Sequence, residues 1–149
     1  MMSYGAHLAK RFVSSLSRSD VSAADLNLVK STLSASEFEL WQQYANADRR
    51  HSVEVAARFT ELRPDASVHE IAGVLLHDIG KISSNLSTWQ RVVATIVGPR
   101  TKRFALYHQH ESIGVELLRQ AGSHGDVIAL VNQTCTADVA AAFRAADNI

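Results

Sequence analysis

Ser22, Ser34, Ser67 and Ser87 of this 149-residue chain are each followed three residues later by a carboxylate or amide, and each time an apolar stripe comes next. Ser34-Ala35-Ser36-Glu37, Ser67-Val68-His69-Glu70 and Ser87-Thr88-Trp89-Gln90 have the form of a capping box. In that motif the serine side chain takes one orphan N–H of a first helical turn and the third residue reaches back to another. Ser22-Ala23-Ala24-Asp25 repeats the pattern with a shorter acid. Behind these starts the apolar residues recur at helical spacing. Leu26, Val29 and Leu33 follow the first; Phe38, Leu40, Trp41 and Tyr44 the second; Trp89, Val92, Val93, Ile96 and Val97 the last, closed by Gly98-Pro99.

The stretches between read the same way. Residues 6–17 carry Leu8, Phe12, Val13 and Leu16. A helix starting near Asp48 runs to about Leu62, because Pro64 forbids continuation. Its face holds His51, Val55, Phe59 and Leu62. Further helices follow His108-Gln109-His110-Glu111, with Gly122 as C-cap, and span residues 126–133 and 137–147. Strand signals are missing, so the spacing predicts an all-α, single-domain helical bundle of eight or nine helices over residues 1–149. The aromatic stripe of residues 38–44 reads as core, His69 as a surface residue of a first turn, and Arg100, Lys102 and Arg103 as a solvated helix end.

Composition narrows the function classes. Lys plus Arg number 15 and Asp plus Glu 15, for a formal net charge of zero, and the sequence pI is near 7.1. A nucleic-acid polymer usually demands a basic face and a high pI, so a small soluble partner is expected instead. Cys135 is the single cysteine, which excludes an intramolecular disulfide and suits a reducing cytoplasm. No apolar run reaches the roughly 18 residues that span a bilayer, and no signal-peptide pattern opens the chain. A chain of this length buries roughly 70% of its unfolded surface without needing a structural metal.

The helix after Ser67 carries the chemistry. Ala72-Gly73-Val74-Leu75-Leu76-His77-Asp78-Ile79-Gly80-Lys81 is apolar up to two adjacent metal-ligand side chains. An aspartate there is costly to bury as an anion unless positive charge sits beside it. Neighbouring helical residues point about 100° apart, so both reach one ion only at a helix end, where Gly80 is expected to turn the backbone away. His51, His77-Asp78 and Asp147 fall on three separate predicted helices, each on or beside an apolar face. Converging in a bundle core, they make a mixed nitrogen and oxygen site for Mn, Fe, Ni, Co or Zn, or for Mg.

In that order, His51, His77-Asp78 and the Asp147 of Ala145-Ala146-Asp147 resemble the ligand set of the HD-domain metal-dependent phosphohydrolase superfamily. Asp78-Ile79-Gly80-Lys81 completes the HDIGK form of its central motif. Arg49-Arg50-His51 and His110-Glu111-Ser112-Ile113-Gly114-Val115-Glu116-Leu117-Leu118 look like segments of small bacterial HD proteins. The resemblance covers roughly residues 46–149, which makes residues 1–45 accessory helices that cap the core or form a homodimer surface. An exposed Trp41 or Phe38 would point to the dimer.

The resemblance implies a divalent ion held by His51, His77, Asp78 and Asp147, hydrolysing a small phosphoester through a metal-activated water. Asp78 is then ligand and candidate general base. Lys81 is a candidate phosphate cation, or else a solvated lysine near a helix end. Arg50 either grips phosphate or pairs with Asp48 or Glu54. His110 fits a further ligand of two-metal members, and His108 faces solvent or substrate. The next helix ends Asn132-Gln133, where that pattern places His, and neutral amides bind these metals far less well. One ion is therefore expected, and a catalytically weak module that binds a metal, nucleotide or protein as sensor or scaffold is the alternative. Asp147 lies in a last turn that would ordinarily fray unless the ion pins it.

Overall fold

The computed structural model of this chain describes residues 19–83 and 110–148. They form α1 (Ala23–Thr32), α2 (Ala35–Trp41), α3 (Asn46–Leu62), α4 (Val68–Leu75), a 3-10 helix (Ile79–Ser83), α5 (His110–Gln120), α6 (Gly125–Val131) and α7 (Ala137–Asp147). No strand occurs among the described residues. Their seven α-helices fall slightly short of the eight or nine expected along the chain. The expected helices at 6–17 and 87–97, the basic cluster at 100–103 and His108 lie outside the described residues.

Local chemistry sets the helix starts. Ser34 Oγ accepts the Glu37 N–H at 3.2 Å and Glu37 Oε2 accepts the Ser34 N–H at 2.9 Å; Ser67 and Glu70 do the same at 3.1 and 3.2 Å. At Ser22 only half the box forms. Asp25 is one methylene shorter than glutamate, so its carboxylate takes the Ser22 hydroxyl at 2.8 Å rather than the backbone N–H. A cap that the sequence reading missed opens α6, where His124 Nδ1 accepts the Asp126 N–H at 3.2 Å. At the other end of α5, Gly122 takes the expected left-handed turn at φ 74°.

α4 is the centre of the bundle. Ala72, Gly73, Val74 and Leu75 are all buried, and the helix packs on α1, α3 and α6, which is why its second half is apolar on every side. At Gly73 the approach to α6 is close: a Cβ would stand 2.9 Å from the Leu130 Cβ. α5 lies on the 3-10 helix through a pair of glycines: a Cβ on Gly114 would meet the Gly80 nitrogen at 3.2 Å.

The pairing of α3 with α7 is fixed at its far end by Arg63. This C-cap of α3 reaches Glu70 Oε2 at 2.9 Å through Nε and Asp138 Oδ2 at 2.9 Å through Nη1. The end of α3 is thereby tied to the starts of α4 and α7. α7 runs back along α3 and ends beside its first turns.

Two expectations need correcting. Leu62 is 54% exposed although it shares the face of Val55 and Phe59, because it is the last residue of α3 and projects past its neighbours. The central helix ends at Leu75, before His77 and Asp78. The Leu76 N–H is shared between the Ala72 and Gly73 carbonyls at 3.1 and 3.2 Å and the His77 N–H goes to the Val74 carbonyl at 3.4 Å, so the ladder tightens to three-residue bonds and continues as the 3-10 helix. Gly80 does not stop the helix; it sits inside the 3-10 turn and admits α5.

The aromatic stripe behaves as core. Trp41 is 1% exposed and its Nε1 donates to Ser52 Oγ of α3 at 3.0 Å. Phe38 is half-buried against it and Tyr44 is buried, so α2 packs its aromatic side inward on the bundle.

Candidate metal centre

His51 reaches the site from α3, one turn before the buried Val55 and Phe59. His77 and Asp78 come from the turn after α4, and Asp147 is the last residue of α7. One ligand atom from each of His51, His77 and Asp78 lies within 4.8 Å of the other two. Asp147 Oδ1 is 3.1 Å from His51 Nε2 and 3.6 Å from His77 Nε2, and Asp78 Oδ2 is 3.4 Å from that same His77 nitrogen. Three segments distant in sequence thus converge on one point.

The deciding atom is His77 Nε2. On the other side of the ring, Nδ1 stands 2.6 Å from the Val74 carbonyl oxygen. A carbonyl only accepts, so Nδ1 carries the hydrogen and the imidazole is oriented as metal-binding histidines usually are. Nε2 is buried and makes no hydrogen bond, with two carboxylates and a second imidazole around it. An unpaired buried polar atom costs about 1–3 kcal/mol, and a cation among these four groups would remove the cost. The residues fit a divalent ion.

Electrostatics point the same way. Burial opposes ionisation of Asp78, yet Lys81 and His77 hold its carboxyl well below the usual carboxylate range. Asp147 is likewise held low, against its own burial, by the His51 contact and the charge of His77. Burial pushes His77 down, but Asp78, Asp147 and the Val74 carbonyl outweigh it and raise its proton affinity. Two ionised carboxylates therefore face the two imidazoles.

The remaining expected site residues fall in different places. Lys81 is buried and sits 2.6 Å from Asp78 Oδ2, so it is not a solvated lysine. Arg50 donates to the Ser19 carbonyl and lines neither cavity at the site. His110 begins α5, but its side chain lies outside the described residues.

Two residues, Tyr44 and Glu111, were missed in the sequence. Tyr44 offers its hydroxyl oxygen to the Asp78 N–H at 3.1 Å, a role that its place in an aromatic stripe concealed. Glu111 and Gln133, joined at 2.9 Å, help to line a cavity of about 180 Å3 that also touches His77, Asp78 and Asp147. Gln133 holds φ at 58°, a conformation that costs a non-glycine residue about 1 kcal/mol or more.

With this geometry in view, comparison with known families gives one match: the HD domain model, over residues 49–144. The chain belongs to the HD-domain family. That span holds His51, His77 and Asp78, and Asp147 lies three residues beyond it. HD-domain proteins are in general phosphohydrolases. No match is found among curated proteins or among solved structures.

Proposed function

We propose that this HD-domain chain is a metal-dependent phosphohydrolase acting on a small soluble phosphoester. The observation that carries the reading is the buried, unpartnered Nε2 of His77 facing Asp78 and Asp147. In this reading His51, His77, Asp78 and Asp147 hold one divalent ion, Mn, Fe, Co, Ni, Zn or Mg by the hardness of the donors. When bound, such an ion activates water at neutral pH and polarises the phosphoryl group.

The chain's own side chains do the rest. Val74 fixes the His77 tautomer, so that Nε2 presents its lone pair. Tyr44 and Lys81 hold Asp78 from two sides, by its N–H and by its carboxylate. Its low proton affinity suits a ligand better than a general base. Leu130, Val131 and Phe143 wall the cavity. Lys81 leaves Asp78 nearly neutralised, so the charge of the ion is less offset by its ligands and attracts phosphate more strongly.

A second reading is favoured by one feature: Asn132 and Gln133 follow the last residue of the penultimate helix, and Gln133 is engaged with Glu111. A module that binds metal without turnover would look like this. Metal analysis followed by a phosphoester screen with added Mn, Fe, Co, Ni or Mg separates the two. The hydrolase reading expects metal-dependent turnover that disappears in His77→Ala and Asp78→Ala, with circular dichroism confirming that both fold. Bound metal with no turnover on nucleotides or generic phosphoesters would leave the binding module.

A further inference from the structure

Beside the cavity of the metal centre lies a larger cleft of about 440 Å3, within the range of small-ligand sites. One wall is a single face of α7: Ala140, Phe143, Arg144 and Asp147 recur at the spacing of a helical stripe. The opposite wall carries Gln133 and Cys135 from the turn after α6. Gln133, Phe143 and Asp147 also line the smaller cavity, so the two spaces adjoin. From Asp147 back to Ala140 the stripe is about 10 Å long, and Arg144 stands about 4.5 Å along the axis from Asp147.

Arg144 is exposed, and its guanidinium has no ion-pair partner among the described residues. Of the other arginines among the described residues, Arg49, Arg50 and Arg63 are bound to carbonyls or carboxylates, and the exposed Arg58 and Arg119 line neither cavity. A cation without a carboxylate, one turn from a metal centre and over a cleft with an aromatic wall, is placed to read an anion.

We propose that the cleft takes the organic body of the phosphoester and that Arg144 binds a second anionic group on it. The favoured substrates are then small organic molecules carrying a phosphoester at the metal centre and a carboxylate or second phosphate about one helical turn away. The inference rests on the phosphohydrolase reading for the chemistry at the centre, and on Arg144 and the cleft for the second group.

Two phosphonates of equal length, whose C–P bonds are not hydrolysed, test it by binding alone. Full-length protein loaded with Mn2+ is titrated calorimetrically with n-propylphosphonate, which has one anionic group, and with 3-phosphonopropionate, which has two. The expected result is a preference of about tenfold for the second, equal to about 1.4 kcal/mol, falling below about twofold in Arg144→Gln. 3-Phosphonopropionate is also expected to slow alkylation of Cys135, the only cysteine, because both occupy the cleft. Equal affinity, no binding by either compound, a preference that survives Arg144→Gln, or an unchanged alkylation rate overturns the proposal. Phosphoester turnover is measured separately. Binding preference without turnover keeps the subsite and removes the hydrolase; turnover without preference does the reverse.

Discussion

His77 does its work through two nitrogens with opposite duties, one donating to Val74 and one left bare toward two carboxylates. That division depends on the turn after Leu75, and the turn is held by a residue ahead of the family match. Tyr44 accepts the Asp78 N–H, so Tyr44→Phe strands a buried donor. The expected loss is about 1–3 kcal/mol in denaturant unfolding, together with weaker Mn2+ binding in calorimetry, since the backbone carrying two ligands loses an anchor. Unchanged metal affinity would show that the ring packs there without positioning Asp78. Lys81 holds the same residue by its carboxylate, with its ammonium 2.6 Å from Asp78 Oδ2.

At the scale of elements, the centre depends on register between α3 and α7. Arg63 with Asp138 closes one end of that pair and His51 with Asp147 the other. The Thr136 hydroxyl and the Arg63 guanidinium together lower Asp138 from its ordinary 3.8 to about 2. A depressed carboxyl stabilises the fold above its unfolded value and loses that contribution as pH falls through the folded one. Stability from this contact is therefore present above about pH 4 and lost toward pH 2. Asp138→Asn is expected to flatten that part of the acid limb in a series of unfolding curves, while leaving circular dichroism at pH 7 helical. α4 offers a second test. Gly73→Ala gains about 1 kcal/mol of helix propensity, but its Cβ would meet the Leu130 Cβ at 2.9 Å. Backbone displacement costs about 1–3 kcal/mol, so net destabilisation is expected in thermal unfolding; a rise in Tm would show that α6 yields freely.

For the molecule as a whole, an ion at the centre would join α3, α7 and the turn between α4 and the 3-10 helix, and so belong to the folding equilibrium. At a free metal concentration about a hundred times Kd, linkage adds about 2.7 kcal/mol, which for a domain of this size raises Tm by roughly 5–10 °C. Chelation should lower it again and speed amide exchange in the last turn of α7, where Asp147 sits; an unchanged melt would argue against a tightly bound ion. The sequence by itself determined the helical class, the Ser34 and Ser67 starts and the end of α3 before Pro64, and it singled out the four side chains that converge, because caps, helical period and motif spacing act over a few residues. Only the tertiary structure decided that His77 and Asp78 occupy a turn, that Lys81 answers Asp78, that Tyr44 and Glu111 belong to the site, and that Asp147 meets a histidine 96 positions away. Those outcomes depend on how neighbouring helices pack, and a side chain's partner across a packed interface is not encoded in its own stretch of chain.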